Sequence, residues 1–384
     1  MKRLPLIALL AAALCLASCD WLRHEELPSD VVLLYMAANN SLIYNTEDEL
    51  VEIADGWLPA SGSESQIYLV YLDTGDGPTL KRYSRDESGN VVEETVMTYP
   101  KGTDSATKAT LAQVLSDAEK AYPADTRGLI LWSHGSGYLP SGYYAKPTDT
   151  VIPDDQISAT SFGQDDSTNS EIDLKDLRTA LEPYYFRFIA FDACLMGGVE
   201  VVAQLADICD YILASPTETL VYGFCYDKMD EYFFDSEDTR GALANAATAY
   251  YNYFNTSGLD CTIAVYETSA IASLAGVCKD IITSNREKLS AIDRTQVQGF
   301  YRGSRPFFYD LESTVKQVCS SSEYEQFRQA LGEVVIYKAA TLDFLSIEIK
   351  EYSGIGTYIP RPEYTNLNAY YKTLAWNKAT GLVN

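Results

Sequence analysis

Residues 186–200 read FRFIAFDACLMGGVE, and this stretch decides the fold of the chain. Its first half is an apolar run rich in aromatic residues, which is typical of a strand buried on both faces of a sheet. Its second half has the composition of a helix start. Asp192 and Cys194 lie at the junction, where ligands bind in an open parallel sheet. Because a helix N-terminus favours negative charge, we expect the Cys194 thiol to be shifted towards the nucleophilic thiolate.

A second apolar stretch ends in a comparable turn. Residues 128–137 read GLILWSHGSG, so His134 lies at the end of a predicted strand, before a glycine-rich turn. The chain has 2 histidines, and the other, His24, lies in the N-terminal tail. A free cysteine after a core strand is usually only a small buried hydrophobic residue. One cysteine and one histidine at equivalent strand ends, however, are the pair that a cysteine nucleophile requires.

These two stretches resemble the catalytic motifs of the clostripain-like cysteine peptidases, which are relatives of caspases, gingipains and legumain. Residues 132–137 (WSHGSG) resemble the family's His-Gly motif, and residues 191–197 (FDACLMG) match its Cys motif closely. The similarity covers most of residues 31–384 and is strongest over 128–216. Three further stretches resemble the family, namely 31–40 (VVLLYMAANN), 210–215 (DYILAS) and 353–360 (SGIGTYIP).

The resemblance implies a caspase-like α/β fold, in which a mostly parallel sheet is flanked by helices. It implies a cysteine endopeptidase in which Cys194 attacks the scissile carbonyl and His134 accepts the thiol proton. It also implies that the backbone N–H groups of Gly135 and Cys194 form the oxyanion hole. No third member of a catalytic triad is evident in the sequence, and the family generally uses a dyad.

Asp192 lies two residues before Cys194, so a strand would direct both side chains to the same side. An unpaired carboxylate at that position is costly unless a cation binds it. The resemblance implies that Asp192 forms the base of the S1 pocket and pairs with an Arg or Lys side chain of the substrate. The alternative is a structural aspartate that caps a neighbouring turn. Glu218, in the loop after the next strand, is a candidate for a second wall of the pocket.

The N-terminal residues have the features of a bacterial lipoprotein. Residues 1–18 combine a positive start, an apolar run and small residues before Cys19, which is typical of a signal peptide that is cleaved at a lipidated cysteine. We therefore predict a lipid anchor at Cys19, followed by a short tether that completes residues 19–30. The predicted location is the bacterial cell envelope, at the outer membrane or the cell surface.

Strands alternate with helices over residues 31–282, which predicts a parallel sheet covered on both faces and defines the peptidase domain. Residues 283–384 form a helix-rich C-terminal region, in which Tyr324–Ala339 is the clearest predicted helix. We expect two strands of this region, Phe344–Ile349 and Gly356–Ile359, to return to an edge of the sheet.

Residues 138–170 lie between the two motifs and have no sustained hydrophobic period, which predicts a long functional or mobile loop. In caspase-like peptidases the corresponding linker is often cut during activation. Lys146 is the only basic residue from Gly135 to Leu174, so it is the candidate self-cleavage site. Pro147 follows it, and a proline there hinders many peptidases, so a loop that is never processed is the alternative.

Composition argues against several classes of partner and cofactor. The formal net charge of −25 disfavours nucleic acids and anionic lipid surfaces as partners. One usable histidine and the lack of a CxxC pair argue against zinc, and we expect no cofactor. Some clostripain relatives depend on calcium, and Asp154-Asp155 and Asp165-Asp166 could supply oxygen ligands. Solvated loop acids explain these residues equally well, so calcium is not indicated.

Two other functions remain open at this point. A catalytically silent caspase-like surface lipoprotein would bind a peptide or a glycan, but such a module needs neither Cys194 nor His134. A cysteine transpeptidase would transfer the acyl group to an amine, and the sequence does not separate this reaction from hydrolysis. The enzyme readings both require a peptide or protein substrate.

Overall fold

The structure is a computed structural model that describes residues 30–149, 162–303 and 306–384. The strands in this part of the chain are β1 (Asp30–Ala37), β2 (Gln66–Asp73), β3 (Thr79–Arg85), β4 (Val91–Thr98), β5 (Thr126–Trp132), β6 (Phe162–Asp165), β7 (Ser170–Ile172), β8 (Phe186–Asp192), β9 (Cys209–Ala214), β10 (Thr262–Glu267), β11 (Tyr309–Asp310), β12 (Val335–Ala340), β13 (Asp343–Phe344), β14 (Ile347–Glu348) and β15 (Gly356–Thr357). The α-helices are α1 (Thr46–Asp55), α2 (Lys108–Ala121), α3 (Leu174–Leu181), α4 (Val199–Leu205), α5 (Tyr226–Phe233), α6 (Thr239–Thr256), α7 (Ile271–Ser284), α8 (Arg286–Ser290), α9 (Leu311–Lys316), α10 (Ser321–Val334), α11 (Thr365–Tyr371) and α12 (Ala375–Thr380).

A 9-stranded sheet in the order β12-β10-β9-β8-β5-β1-β2-β3-β4 organises the molecule. The five central strands, β9, β8, β5, β1 and β2, run parallel to one another. Every residue of β1 and β8 is buried, because helices cover both faces of the sheet. Side chains of β1 alternate between the two hydrophobic cores, with Leu33 and Tyr35 in one and Leu34 and Met36 in the other. The predicted mostly parallel α/β fold is therefore confirmed.

The strands at the two sides of the sheet are antiparallel. Strand β3 pairs in this way with β2 on one side and with β4 on the other. Strand β10 was expected to join the parallel set, but it runs antiparallel to β9. Two helices, α5 and α6, separate β9 from β10, whereas a parallel crossover usually uses a single helix.

The C-terminal region differs from the prediction at the sheet edge. The helix expected over Tyr324–Ala339 ends at Val334, and the β-branched and aromatic residues that follow it form β12, which pairs with β10. The predicted edge strands Phe344–Ile349 and Gly356–Ile359 are not part of the main sheet. The first is the small β13–β14 hairpin, and the second contributes β15, which pairs with β11.

The C-terminal region nevertheless supports the centre of the fold. One hydrophobic core runs from Val31 to Val383 and includes α12 and the end of the chain. The amide of Gly356 donates to the carbonyl of Gly197 at 2.8 Å, so β15 touches the loop that follows β8. The boundary at residue 282 stays a prediction. No helix in the described ranges is both long and apolar enough to cross a bilayer.

Candidate active site

A cavity of about 430 Å³ opens at the carboxyl ends of β5 and β8. His134, Asp192 and Cys194 all line it, so the fold brings together the three side chains that the sequence singled out. The loop between β9 and α5 forms one wall, through residues 218–221 and Gly223. This is the edge at which open parallel sheets bind their ligands.

His134 follows β5 and is held from two sides. Ser133 fixes the preceding backbone, because its amide donates to the Asp192 carbonyl at 3.3 Å and its hydroxyl donates to the Ala37 carbonyl at 2.7 Å. The imidazole Nε2 lies 2.9 Å from the hydroxyl of Ser41, which comes from the turn after β1. Burial lowers the pKa of His134, and the negative charge of Asp166 only partly opposes this. The imidazole is therefore neutral at neutral pH.

The thiol of Cys194 also lies in an environment that favours its neutral form. The amide of Thr219 donates to Sγ at 3.3 Å, and the Thr219 hydroxyl lies 3.5 Å from the same atom. Burial raises the thiol pKa more than these contacts lower it. The expected shift to thiolate is thus wrong, and the reason is local: α4 begins at Val199, well after Cys194, so its N-terminus does not act on the thiol.

The loop after β8 has a strained backbone directly after Cys194. Leu195, directly after Cys194, has a φ of +64°, which is uncommon for a residue with a branched side chain. Its amide donates to the Thr217 carbonyl at 2.7 Å, and the amide of Gly197 donates to the Ser215 carbonyl at 2.8 Å. Strain of this kind concentrates at functional sites, where the surroundings hold it in place.

Gly135 packs against the backbone of the same loop. A Cβ at this position would lie 2.5 Å from the Cys194 carbonyl oxygen and 3.3 Å from the Cys194 amide nitrogen, so a side chain does not fit. Within the described ranges, neither the Gly135 amide nor the Cys194 amide donates a hydrogen bond to another group. The two groups that the resemblance assigns to the oxyanion hole are therefore close neighbours and have unused donors.

Asp192 lines the cavity and is only 4% exposed. It accepts hydrogen bonds from the Phe224 amide at 2.8 Å and from the Tyr226 hydroxyl at 3.1 Å. Behind it lies Glu49, on α1, which accepts from the indole N–H of Trp132 at 3.2 Å. Burial raises the pKa of both carboxyls, and the charge of Asp192 raises that of Glu49 further.

The outer rim of the cavity carries an ion pair. Glu218 lines the cavity, and the guanidinium of Arg302 donates to its Oε2 from Nε at 2.9 Å and also from a terminal nitrogen. Arg302 and Gly303 close the rim on this side. Glu218 therefore lies at the wall, as suspected from the sequence, but its charge is already paired within the chain.

Two predicted sites lie away from the cavity or outside the described residues. Lys146 is exposed and does not line the cavity. Its segment is held nearby by Asp149, which accepts from the Tyr143 hydroxyl at 2.7 Å and from the Asn366 amide at 2.9 Å. Residues 150–161 of the predicted loop, and Cys19 with the whole predicted signal peptide, lie outside the described residues.

Of the acidic loop residues, the structure describes Asp165 and Asp166. Asp165 accepts from the Asn39 side chain at 3.0 Å and from the Ser167 amide at 2.9 Å, so it stabilises a turn. Asp154-Asp155 lie outside the described residues. No group of three or more His, Cys, Asp or Glu side chains within the described ranges is arranged to hold a metal ion.

Sequence reasoning missed Ser41, Glu49 and Thr219. Asn40 caps the 3-10 turn that follows it, because its side-chain oxygen accepts from the Leu42 amide at 2.9 Å. The side-chain amide of Asn40 also donates to the Ala37 and Gln164 carbonyls, which fixes Ser41 beside His134. Because β1 neighbours β5 in a parallel sheet, residues that follow the two strands meet at one edge, and this rule could have identified Ser41.

Comparison with known proteins supports this arrangement of the chain. The sequence matches the family model described as the Clostripain family over residues 34–381. No curated protein sequence matched the chain.

Three solved structures are similar to this chain. An inactive zymogen C11 protease from Parabacteroides distasonis is 28% identical, with a TM-score of 0.79, and the match covers 92% of this chain and 98% of that one. A secreted C11 cysteine protease from Bacteroides thetaiotaomicron, in complex with an irreversible peptide inhibitor, is 26% identical, with the same TM-score and coverage of 92% and 99%. A B. fragilis cysteine protease is 27% identical, with a TM-score of 0.52 and coverage of 57% and 96%.

Proposed function

Because the chain belongs to the clostripain family and is a cysteine peptidase, we propose that it hydrolyses peptide bonds with Cys194 as nucleophile and His134 as general base and acid. The observation that carries this proposal is the shared cavity that Cys194, His134 and Asp192 line. In this proposal Asp192 binds the side chain of Arg or Lys on the amino-terminal side of the cleaved bond.

The reaction begins from a neutral thiol and a neutral imidazole. Cys194 Sγ attacks the carbonyl carbon while its proton passes to His134, and the carbonyl oxygen becomes an oxyanion that accepts from the Gly135 and Cys194 amides. The C–N bond then breaks as His134 gives the proton to the leaving amine, and a thioester remains. Water attacks the thioester while His134 takes a proton from it. The C–S bond then breaks, the carboxylic acid product leaves, and the Cys194 thiolate takes the proton from His134, which regenerates the neutral pair.

A neutral resting pair limits reactivity until substrate is bound. The Ser41 hydroxyl is the hydrogen-bond partner of His134 Nε2 among the described residues, which leaves Nδ1 as the ring nitrogen that accepts the thiol proton. Substrate in the cavity would displace water and strengthen the attraction between the developing thiolate and imidazolium. Because a neutral thiol is oxidised less readily than a thiolate, this resting state protects Cys194 between turnovers.

The test uses purified residues 20–384 and the Cys194→Ala variant, each with fluorogenic peptides that end in Arg, Lys, Asp or Asn. Cleavage after Arg or Lys by the unsubstituted protein alone is the expected result. Activity that persists in pure Cys194→Ala protein would overturn the nucleophile. Cleavage after Asp or Asn would keep the nucleophile but overturn Asp192 as the residue that selects substrate. Added amine would reveal a transpeptidase, because ligated product would then accumulate.

Lys146 is proposed as a self-cleavage site on the basis of its exposure and its position between the two motifs. The expected result is a chain that is cut after residue 146 during storage of active protein, and an uncut chain in Cys194→Ala and in Lys146→Ala. N-terminal sequencing of the fragments checks this. If Lys146→Ala is cut at the same rate as the unsubstituted protein, Lys146 is not the site.

Cys19 is proposed as a lipid anchor in the cell envelope, on the basis of the residues that precede it. The expected result is a membrane-associated protein whose N-terminal peptide carries acyl chains in mass spectra. The Cys19→Ser variant should lose both properties and keep its peptidase activity. Equal membrane association of the variant would refute the anchor.

A further inference from the structure

Glu49 is a second carboxyl group directly behind the base of the proposed S1 pocket. It is 2% exposed, and its Oε2 atom has no hydrogen-bond partner within the described ranges. A Cβ on Gly223 would collide with Glu49 Oε1 and would lie 2.8 Å from Asp192 Oδ2. Because Gly223 lines the cavity, only a backbone without a side chain separates Glu49 from the space in which the substrate side chain would bind.

Two buried carboxyls this close do not both ionise in an empty pocket, since each negative charge opposes the other. The hydrogen bonds decide where the charge lies. Asp192 accepts from two donors, the Phe224 amide and the Tyr226 hydroxyl, whereas Glu49 accepts from the Trp132 indole alone. The charge therefore lies on Asp192, and the proton lies on Glu49. The unpartnered Oε2 atom is the natural position for that proton.

We propose that Glu49 is a second acid of the S1 pocket, which gives up its proton when a guanidinium or ammonium group binds against Asp192. This inference rests on the proposed cleavage after Arg or Lys. Burial and, to a smaller extent, the charge of Asp192 keep Glu49 neutral in the empty pocket. The positive charge of the substrate offsets both, so the O–H bond of Glu49 breaks and the proton goes to solvent. The occupied pocket then holds two negative charges around one positive group. Glu49 adds its negative charge from behind Asp192 and does not touch the substrate, so it is a positioning residue.

Among the described residues, the titratable groups that act on Glu49 are acids and phenols, whose charge would oppose its ionisation. They are Asp48 and Glu52 on α1, Tyr68 on β2, Asp192 on β8, and Tyr226 on α5. Lys228, on α5, is exposed and pairs with Asp227, so it does not replace the substrate in this role.

The test counts protons by calorimetry. Cys194→Ala protein, which leaves the peptide intact, is titrated with a peptide ending in Arg at pH 8.5, in two buffers of different ionisation enthalpy. At this pH Asp192 is ionised before the peptide arrives, so any proton that is released comes from another group. We expect release that approaches one proton per bound peptide. The double variant Cys194→Ala/Glu49→Gln keeps the shape of the side chain and should release almost none, with several-fold weaker binding.

Two controls separate charge from structure. A peptide that ends in Gln should release no proton from either protein, and the two proteins should bind it equally. Glu49→Leu, a second variant without a titratable group, replaces Glu49→Gln if the amide does not fold. Thermal unfolding confirms that each variant is native.

The outcomes distinguish the two proposals. Equal proton release from the single and the double variant would overturn the role of Glu49 and leave Cys194, His134 and Asp192 untouched. Failure of the Arg peptide to bind, with binding of a peptide that ends in Asp or Asn, would overturn the cationic S1 pocket and the role of Glu49 together.

Discussion

Asp192 and Glu200 are two buried carboxyls on either side of the Cys194 loop, and they behave as opposites. Both are nearly or fully inaccessible to solvent, and burial raises the pKa of both. Asp192 has one side towards a cavity of about 430 Å³, whereas Glu200 is enclosed by protein. Burial alone therefore does not separate a carboxyl that faces a cavity from one that is enclosed by protein.

The partners of Glu200 come from the end of the chain. Its Oε1 atom accepts from the Tyr371 hydroxyl at 2.5 Å, the Tyr358 amide at 3.0 Å and the Thr357 hydroxyl at 3.3 Å. These contacts attach α11 and β15 to α4, which follows the Cys194 loop. Glu200 is fully buried and links three donors of the C-terminal region to α4, so it stabilises the attachment of that region. The feature that separates the two carboxyls is therefore whether a cavity adjoins the side chain, as it does at Asp192 and not at Glu200.

Alanine at each position should separate the two roles most clearly. For Asp192→Ala, kcat/KM with peptides that end in Arg should fall about 10²- to 10³-fold, because a buried charge pair with the substrate is worth about 2–5 kcal/mol. The free energy of unfolding should change by less than about 1 kcal/mol, since water in the cavity can solvate the Phe224 amide and the Tyr226 hydroxyl. Peptide kinetics and urea unfolding measure the two quantities. A comparable loss of stability would make Asp192 a structural residue.

Glu200→Ala should show the reverse pattern. Three donors lose their acceptor in a sealed site, so the free energy of unfolding should fall by about 2–4 kcal/mol. At a temperature where the variant is still folded, kcat/KM should remain within about threefold of the unsubstituted protein, because Glu200 touches no atom of the cavity. Urea unfolding and peptide kinetics on one preparation measure the free energy of unfolding and kcat/KM. A large loss of activity in a stable variant would erase the distinction from Asp192.

The pH dependence sharpens the comparison with a smaller effect. Burial raises the pKa of Glu200 to about 6, above its ordinary value of 4.5, so the folded state binds a proton more readily than the unfolded state. The associated stability is fully present below pH about 4.5 and is lost as the pH rises through 6, on the order of 1 kcal/mol. The pKa of Asp192 is also raised, so its protonation at low pH stabilises the fold in the same direction. The same protonation removes the negative charge that the proposed binding of Arg or Lys requires.

We therefore expect the melting temperature to rise and the cleavage after Arg to fall as the pH is lowered from 8 to 5. Melting curves and initial rates across this range measure both. Glu200→Gln should flatten the melting profile without moving the activity profile. If the amide instead shifts the acid limb of the activity profile, Glu200 is coupled to catalysis and not only to the fold.

Much of this arrangement follows from the sequence, because regular strands carry strong local signals. The apolar runs before His134 and Cys194 predict neighbouring buried strands, and parallel pairing of β5 with β8 brings their ends to one edge. Ser41 follows β1 and could have been found by the same rule, but Glu49 reaches the site from α1, and its position depends on how α1 packs over the sheet. Hydrophobic periodicity in the sequence carries no information about how a helix packs over the sheet.

Two errors have a common physical origin in where an element begins or ends. The thiolate expectation placed a helix start next to Cys194, but the chain first makes a loop with a left-handed residue, Leu195, and begins α4 at Val199. The C-terminal helix was extended through residues that instead form β12. Both errors arise because element boundaries depend on tertiary contacts that propensity does not include.

The hydrogen bond from Gly356 to Gly197 has a consequence for how the protein is made. A ribosome synthesises Cys194 long before residue 356. A nascent chain therefore carries its nucleophile without the β15 contact that supports the loop behind it. The loop receives that support only when translation is nearly complete, so the order of synthesis itself delays the maturation of a peptidase inside the cell that makes it.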